Sequence, residues 1–182
     1  MRDFLDLVRT RRSIRRYDGR PVPRDVIDRC VEAARLAPSA CNSQPWRFLI
    51  FDRDPWRSRV GEAAFSGIYS LFAFAQQAPV LVALVRLRST YAAKLGGLIR
   101  RIDYSLIDIG IAGEHFVLQA ADEGVGTCWI GWFNERRLRR ILKLSPGEKL
   151  DVLIAMGYPE EGTLEATGDR PRKPLDQVRE YR

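Results

Sequence analysis

The amino-acid sequence predicts one α+β domain, and three observations carry that expectation. Four short runs are rich in β-branched and aromatic residues and bounded by turn formers, as strands are: RFLIFD (47–52), APVLVALVRL (78–87), GTCWIGWF (126–133) and KLDVLIAMGYP (149–159). Between them lie stretches whose apolar residues recur at helical spacing. The 182 residues, 46% hydrophobic and 29% charged, suit a single domain with a sizeable core, and no repeat, linker or low-complexity block divides them.

The elements follow in order. Residues 3–11 read as a helix with Phe4, Leu5, Leu7 and Val8 on one face, and an Asp-Gly turn in RRYDGRPV ends that segment. A second helix opens at Pro23, with Asp25 near its positive end. Its apolar residues Val26, Ile27, Cys30, Val31 and Ala34 form one buried stripe, and Pro38 stops it near Ala37. Strand 47–52 follows, then a mixed helical region over 55–77, then a strand too continuously apolar to be an exposed edge. Residues 102–123 read as a long, mostly buried helix closed by Gly124. After the strand at 126–133, Asn134 caps a helix with Leu138, Ile141 and Leu142 on one face, and a fourth strand follows. Beyond Pro159 the pattern lapses into an arm with few apolar residues.

Composition narrows the chemistry. The longest apolar run, APVLVALV, falls far short of the roughly 18 residues a membrane span needs. The opening MRDFLDLVRTRRS has acids among its apolar residues and no signal-peptide core, so a cytoplasmic location without a membrane partner is expected. Cys30, Cys41 and Cys128, with no CxxC spacing, read as free thiols rather than a zinc or disulfide framework. With His115 alone, a His-rich metal site is excluded, and its place in a helix gives it a packing role. The net charge of +7 raises the question of nucleic acid. Four of the 30 basic residues are lysines, however, and the other 26 are arginines scattered among acids. The one dense run, ERRLRRILK, has helical spacing and reads as a solvated face, so no nucleic-acid partner is expected.

Four stretches carry candidate chemistry. RRSIR (11–15) sets guanidinium forks beside a hydroxyl, a match for a phosphate monoester as well as for a plain basic turn. Neither a GxGxxG nor a GxxxxGK[ST] loop occurs, which argues against Rossmann dinucleotide or triphosphate binding. In PSACNSQPW (38–46) the prolines fix the backbone, so its amides and polar side chains are presentable in a set geometry; a rigid connector would read the same. GTCWIGWF places glycines and tryptophans where backbone could approach a flat aromatic group, or simply pack a core. RPRKPL puts Arg170, Arg172 and Lys173 in the weakly patterned tail.

Taken together and in this order, RRSIRRY, APSACNSQPWRF, GVGTCWIGWF and RKPL resemble the nitroreductase family of FMN-dependent oxidoreductases, from about Phe4 to the tail. The resemblance implies a nitroreductase-like α+β fold, with a central, mainly antiparallel sheet flanked by helices. It also implies a homodimer with an FMN at each of two interface sites, the C-terminal arm (about 159–182) being exchanged between subunits. Carried over by position, Arg11, Arg12 and Ser13 would hold the FMN phosphate and ribityl chain, and Arg172 would return to the phosphate from the arm. Arg15 would lie near flavin N1 and O2, where positive charge tunes the ring. Pro38, Ser39 and Asn42 would reach the flavin of the other subunit, with Gln44 and Trp46 as support. Ile130, Gly131 and Trp132 would line the flavin face near N5. The chain departs from the family pattern at Gly131, where an acidic residue is frequent, and at Cys41 in the flavin-facing loop, which reads either as a small apolar filler or as a thiol close enough to FMN to tune it or be oxidised. No polar residue between Ser66 and Gln77 matches the family's mid-chain FMN contacts.

The activity so implied is ping-pong hydride transfer from NADH or NADPH through FMN to a small-molecule acceptor: a nitroaromatic, a quinone or a free flavin. No catalytic side chain is required. Two alternatives stay open. Relatives within the fold dehalogenate reductively or consume the flavin, and a protein of another class would bind FMN or nucleic acid without turnover.

Overall fold

The computed structural model describes residues 3–88, 102–163 and 170–182. Its centre is a four-stranded sheet in the order β1-β2-β4-β3, formed by β1 (Trp46–Phe51), β2 (Val80–Arg86), β3 (Gly126–Ile130) and β4 (Lys149–Gly157). Every pairing is antiparallel: Leu49 faces Ala83, Ala83 faces Leu153, and Cys128 faces Ala155. The continuous apolar run of β2 is explained by its central place, covered on both faces.

Strand alternation divides the core in two. Leu81, Ala83 and Val85 pack under α3 (Trp56–Ala64), α5 (Glu135–Ile141) and the 3₁₀ stretch Gly67–Gln77. Val80, Val82 and Leu84 pack under α2 (Arg24–Arg35) and α4 (Tyr104–Asp122). Helix α4 lies close on the sheet at Gly113, where a Cβ would sit 2.3 Å from the Trp129 ring. Asp103 caps its start by accepting from the Ser105 amide at 3.1 Å. Gly124, at φ +73°, turns the chain at its end, and Val125 N–H donates back to the Ala120 carbonyl at 2.8 Å. The turn delivers Gly126 straight into β3.

One expectation is corrected in detail. The run GTCWIGWF is a strand only to Ile130. β3 is an edge whose pairing with β4 ends at Ile130 and Leu153. Beyond it Trp132 turns outward and Phe133 inward, and Asn134 N–H donates to the Ala64 carbonyl before capping α5. Helix α1 (Phe4–Thr10) forms where the pattern places it; none of its residues is fully buried within this chain, Leu7 and Val8 being half-buried and Phe4 and Leu5 exposed. The described part of the arm forms a 3₁₀ turn at Leu175–Gln177 and is exposed from Pro171 onward.

Candidate functional site

The RRSIR segment leaves α1 extended and lies along β3. Ile14 N–H donates to the Thr127 carbonyl at 2.8 Å, and Ser13 bridges Thr127 in parallel register. Alternation along this extended piece points Ile14 into the core, where the missing Cβ of Gly126 makes room for it. A methyl on Gly126 would lie 2.5 Å from Ile14 Cγ1. The neighbours of Ile14 are thereby turned toward the surface, Ser13 half-buried and Arg15 exposed. Burial raises the Tyr17 hydroxyl far above its ordinary pKa, and it donates to the Ile14 carbonyl at 2.7 Å.

The arm returns to this segment. Arg170 donates from Nη1 to the Arg11 carbonyl at 3.2 Å and from Nη2 to the Val8 carbonyl at 3.1 Å. Desolvation, followed by repulsion from Arg172, Arg11 and Arg12, holds its guanidinium below the ordinary arginine range. Four arginines therefore share one locality. Among the described residues, Glu114 on α4 pairs with this cluster, its Oε1 3.7 Å from Arg11 Nε. Beside the cluster opens a cavity of about 290 Å³ lined by Arg11, Arg12, Ile14, Gly126, Thr127 and Pro159 among others. Planar guanidinium forks gathered beside a concavity form a site for a phosphate-sized anion. Arg172 itself donates to the Pro171 carbonyl at 2.9 Å and stays exposed. Arg15 reaches the Ser13 carbonyl at 3.4 Å, and its charge opposes the upward push of burial on the Cys128 thiol.

The loop after α2 is built differently. Its 3₁₀ turn Ala40–Asn42 carries left-handed backbone at Cys41 (φ +52°) and Asn42 (φ +51°), and Gln44 follows at φ +43°. Asparagine tolerates that region, but cysteine and glutamine adopt it only when surroundings insist. Those surroundings are specific. Ser39 Oγ accepts from Gln44 N–H at 3.0 Å, and Ala40 N–H donates to Asp108 Oδ1 of α4 at 3.0 Å. The Gln44 side chain in turn donates from Nε2 to Asn42 Oδ1 at 3.1 Å, which fixes the Asn42 side chain at the surface. Trp46, half-buried, packs against the α2–α4 side of the core. Pro38, Cys41 and Asn42 are left exposed on a constrained frame.

At the end of β3, Ile130 is fully buried, whereas Gly131 is exposed and a Cβ there would meet nothing within 4 Å. Trp132 is 52% exposed and leans on Tyr69, with ring centroids 5.3 Å apart.

Within one chain, then, Arg11, Arg12, Ser13 and Arg172 gather beside β3, and the same strand leads to Ile130, Gly131 and Trp132. Pro38, Ser39 and Asn42 are not brought there. Their loop contacts α4 at Asp108, about 20 Å along the helix axis from the cavity-lining Ala121 at 1.5 Å per residue. Arg170, Glu114, Gly126 and Thr127 belong to the arginine-lined end without having been singled out for it by the sequence. Arg170 alone had a signal, standing two positions before Arg172 in the same basic stretch. The donor set fits the phosphate end of FMN: planar forks around a cavity, with Gly131 leaving open space on the same strand.

The family model for the nitroreductase family matches residues 8–71 and 69–158. The chain belongs to the nitroreductase family. This places it among oxidoreductases. It is 32% identical over 178 residues to the NADH dehydrogenase of Thermus thermophilus, covering 83% of this chain and 84% of that protein. It is also 30% identical over 200 residues to iodotyrosine deiodinase 1 of Sus scrofa, covering 97% of this chain and 67% of that protein. Among solved structures, a nitroreductase family protein from Clostridium novyi NT superposes with a TM-score of 0.76 at 27% identity, covering 88% of this chain and 87% of that one. Among the described residues of this chain, no helix is long and apolar enough to cross a membrane, and no three His, Cys, Asp or Glu side chains group to hold a metal.

Proposed function

We propose that this nitroreductase-family protein is an FMN-dependent oxidoreductase that takes hydride from NADH or NADPH and reduces a nitroaromatic, quinone or flavin-type acceptor. The observation that carries the reading is the arginine cluster that Arg170 closes beside the cavity at Gly126 and Thr127. Arg11, Arg12, Ser13 and Arg172 would bind the phosphate and ribityl chain, joined by Arg170. Arg15 would sit toward N1 and O2, and Ile130, Gly131 and Trp132 along the ring. When bound, FMN supplies the hydride chemistry at N5. The side chains orient it, neutralise its charge and leave the Gly131 side open to a second planar ligand. The Thermus relative, named for NADH, supports a nicotinamide donor.

We further propose a homodimer in which Pro38, Ser39 and Asn42 complete the site of the partner subunit. The distance of their loop from the cavity within one chain supports this, as does apolar surface left open on α1, on α4 and in the arm at Leu175, Val178 and Tyr181. A cytoplasmic location suits the free thiols Cys30, Cys41 and Cys128.

The test is a visible spectrum of the purified protein, followed by anaerobic addition of NADH or NADPH. A flavin band that bleaches supports the reading; a protein that is colourless and rejects added FMN refutes it. A second reading, reductive dehalogenation, is favoured by the 30% identity to the deiodinase across nearly the whole chain. Release of iodide from iodotyrosine by the reduced protein decides between the two acceptors.

A further inference from the structure

We infer that Asp108 is the positioning residue that holds the flavin-facing loop in its working conformation, and that it does so as a hydrogen-bond acceptor for Ala40. The inference rests on the reading of residues 38–44 as part of a cofactor site.

Asp108 is a carboxylate placed where the helical pattern calls for an apolar residue. It is 3% exposed, beside buried Ile109 on the inner face of α4. Among the described residues no ion pair includes it, so no opposite charge there offsets its burial. What it does have is the Ala40 amide at 3.0 Å on Oδ1. That amide opens the 3₁₀ turn that carries Cys41 and Asn42 through left-handed backbone. Such a backbone persists only when its surroundings over-determine it, and a buried hydrogen bond at the first residue of the turn is such a constraint. The other carboxylate oxygen and the Ser43 hydroxyl are both buried without a hydrogen-bond partner, an acceptor and a donor left over at the same loop and helix.

Asp108 is itself held in place. One helical turn earlier, Ser105 Oγ accepts from Arg86 Nη1 at 3.0 Å, and Arg86 pairs with Asp103 at 2.5 Å and with Asp151 at 2.6 Å. Because Arg86 ends β2 and Asp151 lies on β4, the first turn of α4 is tied to the sheet. The connection runs from the sheet through α4 to Asp108, Ala40 and the exposed Asn42. The role assigned to Asp108 is exercised through Ala40, not by contact with cofactor or substrate.

The test uses the full-length protein and two readouts: hydrogen–deuterium exchange across residues 38–46, and FMN affinity by flavin fluorescence quenching. Asp108→Ala removes the acceptor, and Asp108→Asn keeps a neutral one. Ala40→Pro removes the donor without touching the carboxylate, and the extended backbone of Ser39 (φ −146°, ψ 156°) suits a following proline. Asp108→Ala and Ala40→Pro are expected to speed exchange in the loop and weaken FMN binding roughly tenfold, whereas Asp108→Asn stays within about threefold of wild type. Exchange in the strands reports whether each variant has folded. Wild-type exchange in Ala40→Pro overturns the inference, as does an Asp108→Asn that behaves like Asp108→Ala. If the wild-type protein itself refuses FMN, the cofactor reading falls, and the exchange comparison still decides whether Asp108 holds the loop.

Discussion

The Arg170 guanidinium lies against the end of α1, 3.2 Å from the carbonyl oxygen of Arg11, and thereby joins the C-terminal arm to the RRSIR segment of the same chain. This contact crowds like charges: after desolvation, which lowers the Arg170 pKa most, Arg172, Arg11 and Arg12 each push it down further. A protein that gathers arginines against their mutual repulsion gains from it when an anion arrives. Arg11→Ala and Arg170→Ala should each weaken FMN binding by roughly ten- to a hundredfold, the worth of a hydrogen bond from a charged donor. The wild-type affinity should also fall steeply with added salt, and each variant should show a shallower salt slope. Fluorescence titration at several ionic strengths measures both; equal affinities in wild type and variants would remove the phosphate from this cluster.

Gly126 is where stability and the site meet. Its absent side chain lets Ile14 enter the core, and Ile14 N–H is the bond that holds RRSIR on β3. Gly126→Ala would force a methyl to 2.5 Å from Ile14 Cγ1 and 2.8 Å from its Cβ. Overpacking of this kind costs about 1–3 kcal/mol, so calorimetry should show Tm lowered by about 3–10 °C. FMN affinity should drop with it, because the clash displaces the segment bearing Arg11 to Arg15. Gly113→Ala, facing Trp129 instead, should lower Tm comparably with a smaller effect on FMN.

How much of this was legible in the sequence depends on the range of the forces concerned. Strands β1, β2 and β4 and helices α2, α4 and α5 follow from local periodicity, and Asn134 and Gly124 mark their ends by local chemistry. The end of β3 does not follow, because Gly131, Trp132 and Phe133 keep a strand-like composition after the edge has run out of partner. Nor does the docking of RRSIR on Thr127, a main-chain bond between distant segments that leaves no mark on residue type beyond the glycine at 126. Asp108 was hidden by its surroundings, as one acid in an apolar helix registers as noise in a periodicity. Arg170 and Arg172 are indistinguishable as letters; only the fold shows which of them bonds to the end of α1.

The thiols should separate cleanly by reactivity. Burial pushes the Cys30 thiol up to about 12 and raises that of Cys128 as well, while Cys41 is exposed. A thiolate-selective reagent at pH 8 should therefore titrate one thiol in the native protein and all three after denaturation. FMN should slow the native reaction if the loop faces the cofactor. Fast labelling of a second thiol would contradict the burial of Cys30 and Cys128.

Acid sensitivity should centre on paired carboxylates. Arg24 grips Asp52 with two bonds, of 2.6 and 3.1 Å, and the hydrogen bond from Arg24 holds the Asp52 carboxyl below its ordinary range. A depressed folded-state pKa contributes stability that is present above the unfolded value, about 3.9, and is lost as pH falls through the folded value. Arg24→Ala should consequently lower Tm at neutral pH and matter less below about pH 3.5. Thermal melts across that range check the sign: a gap between variant and wild type that widens in acid would show that the pair is not responsible.

Oligomeric state gives the sharpest test of the shared site. Ile107 is 51% exposed, with Leu106, Gly110 and Ile111 accessible nearby along the same helix, and α1 exposes Phe4 and Leu5. Large aliphatic side chains left in water on a helix otherwise packed against the core are what an interface between copies would cover. Ile107→Glu places a charge in that surface without touching the core, so the variant should fold, with strand exchange as in wild type, yet run as a monomer in size-exclusion chromatography with light scattering. It should also lose most of its FMN, although Arg11, Arg12 and Arg170 are intact, because Asn42 would no longer reach the site from the partner subunit. A monomeric variant that retains FMN at wild-type affinity would mean that each chain binds the cofactor alone, and the constrained loop at 38–46 would then need another purpose.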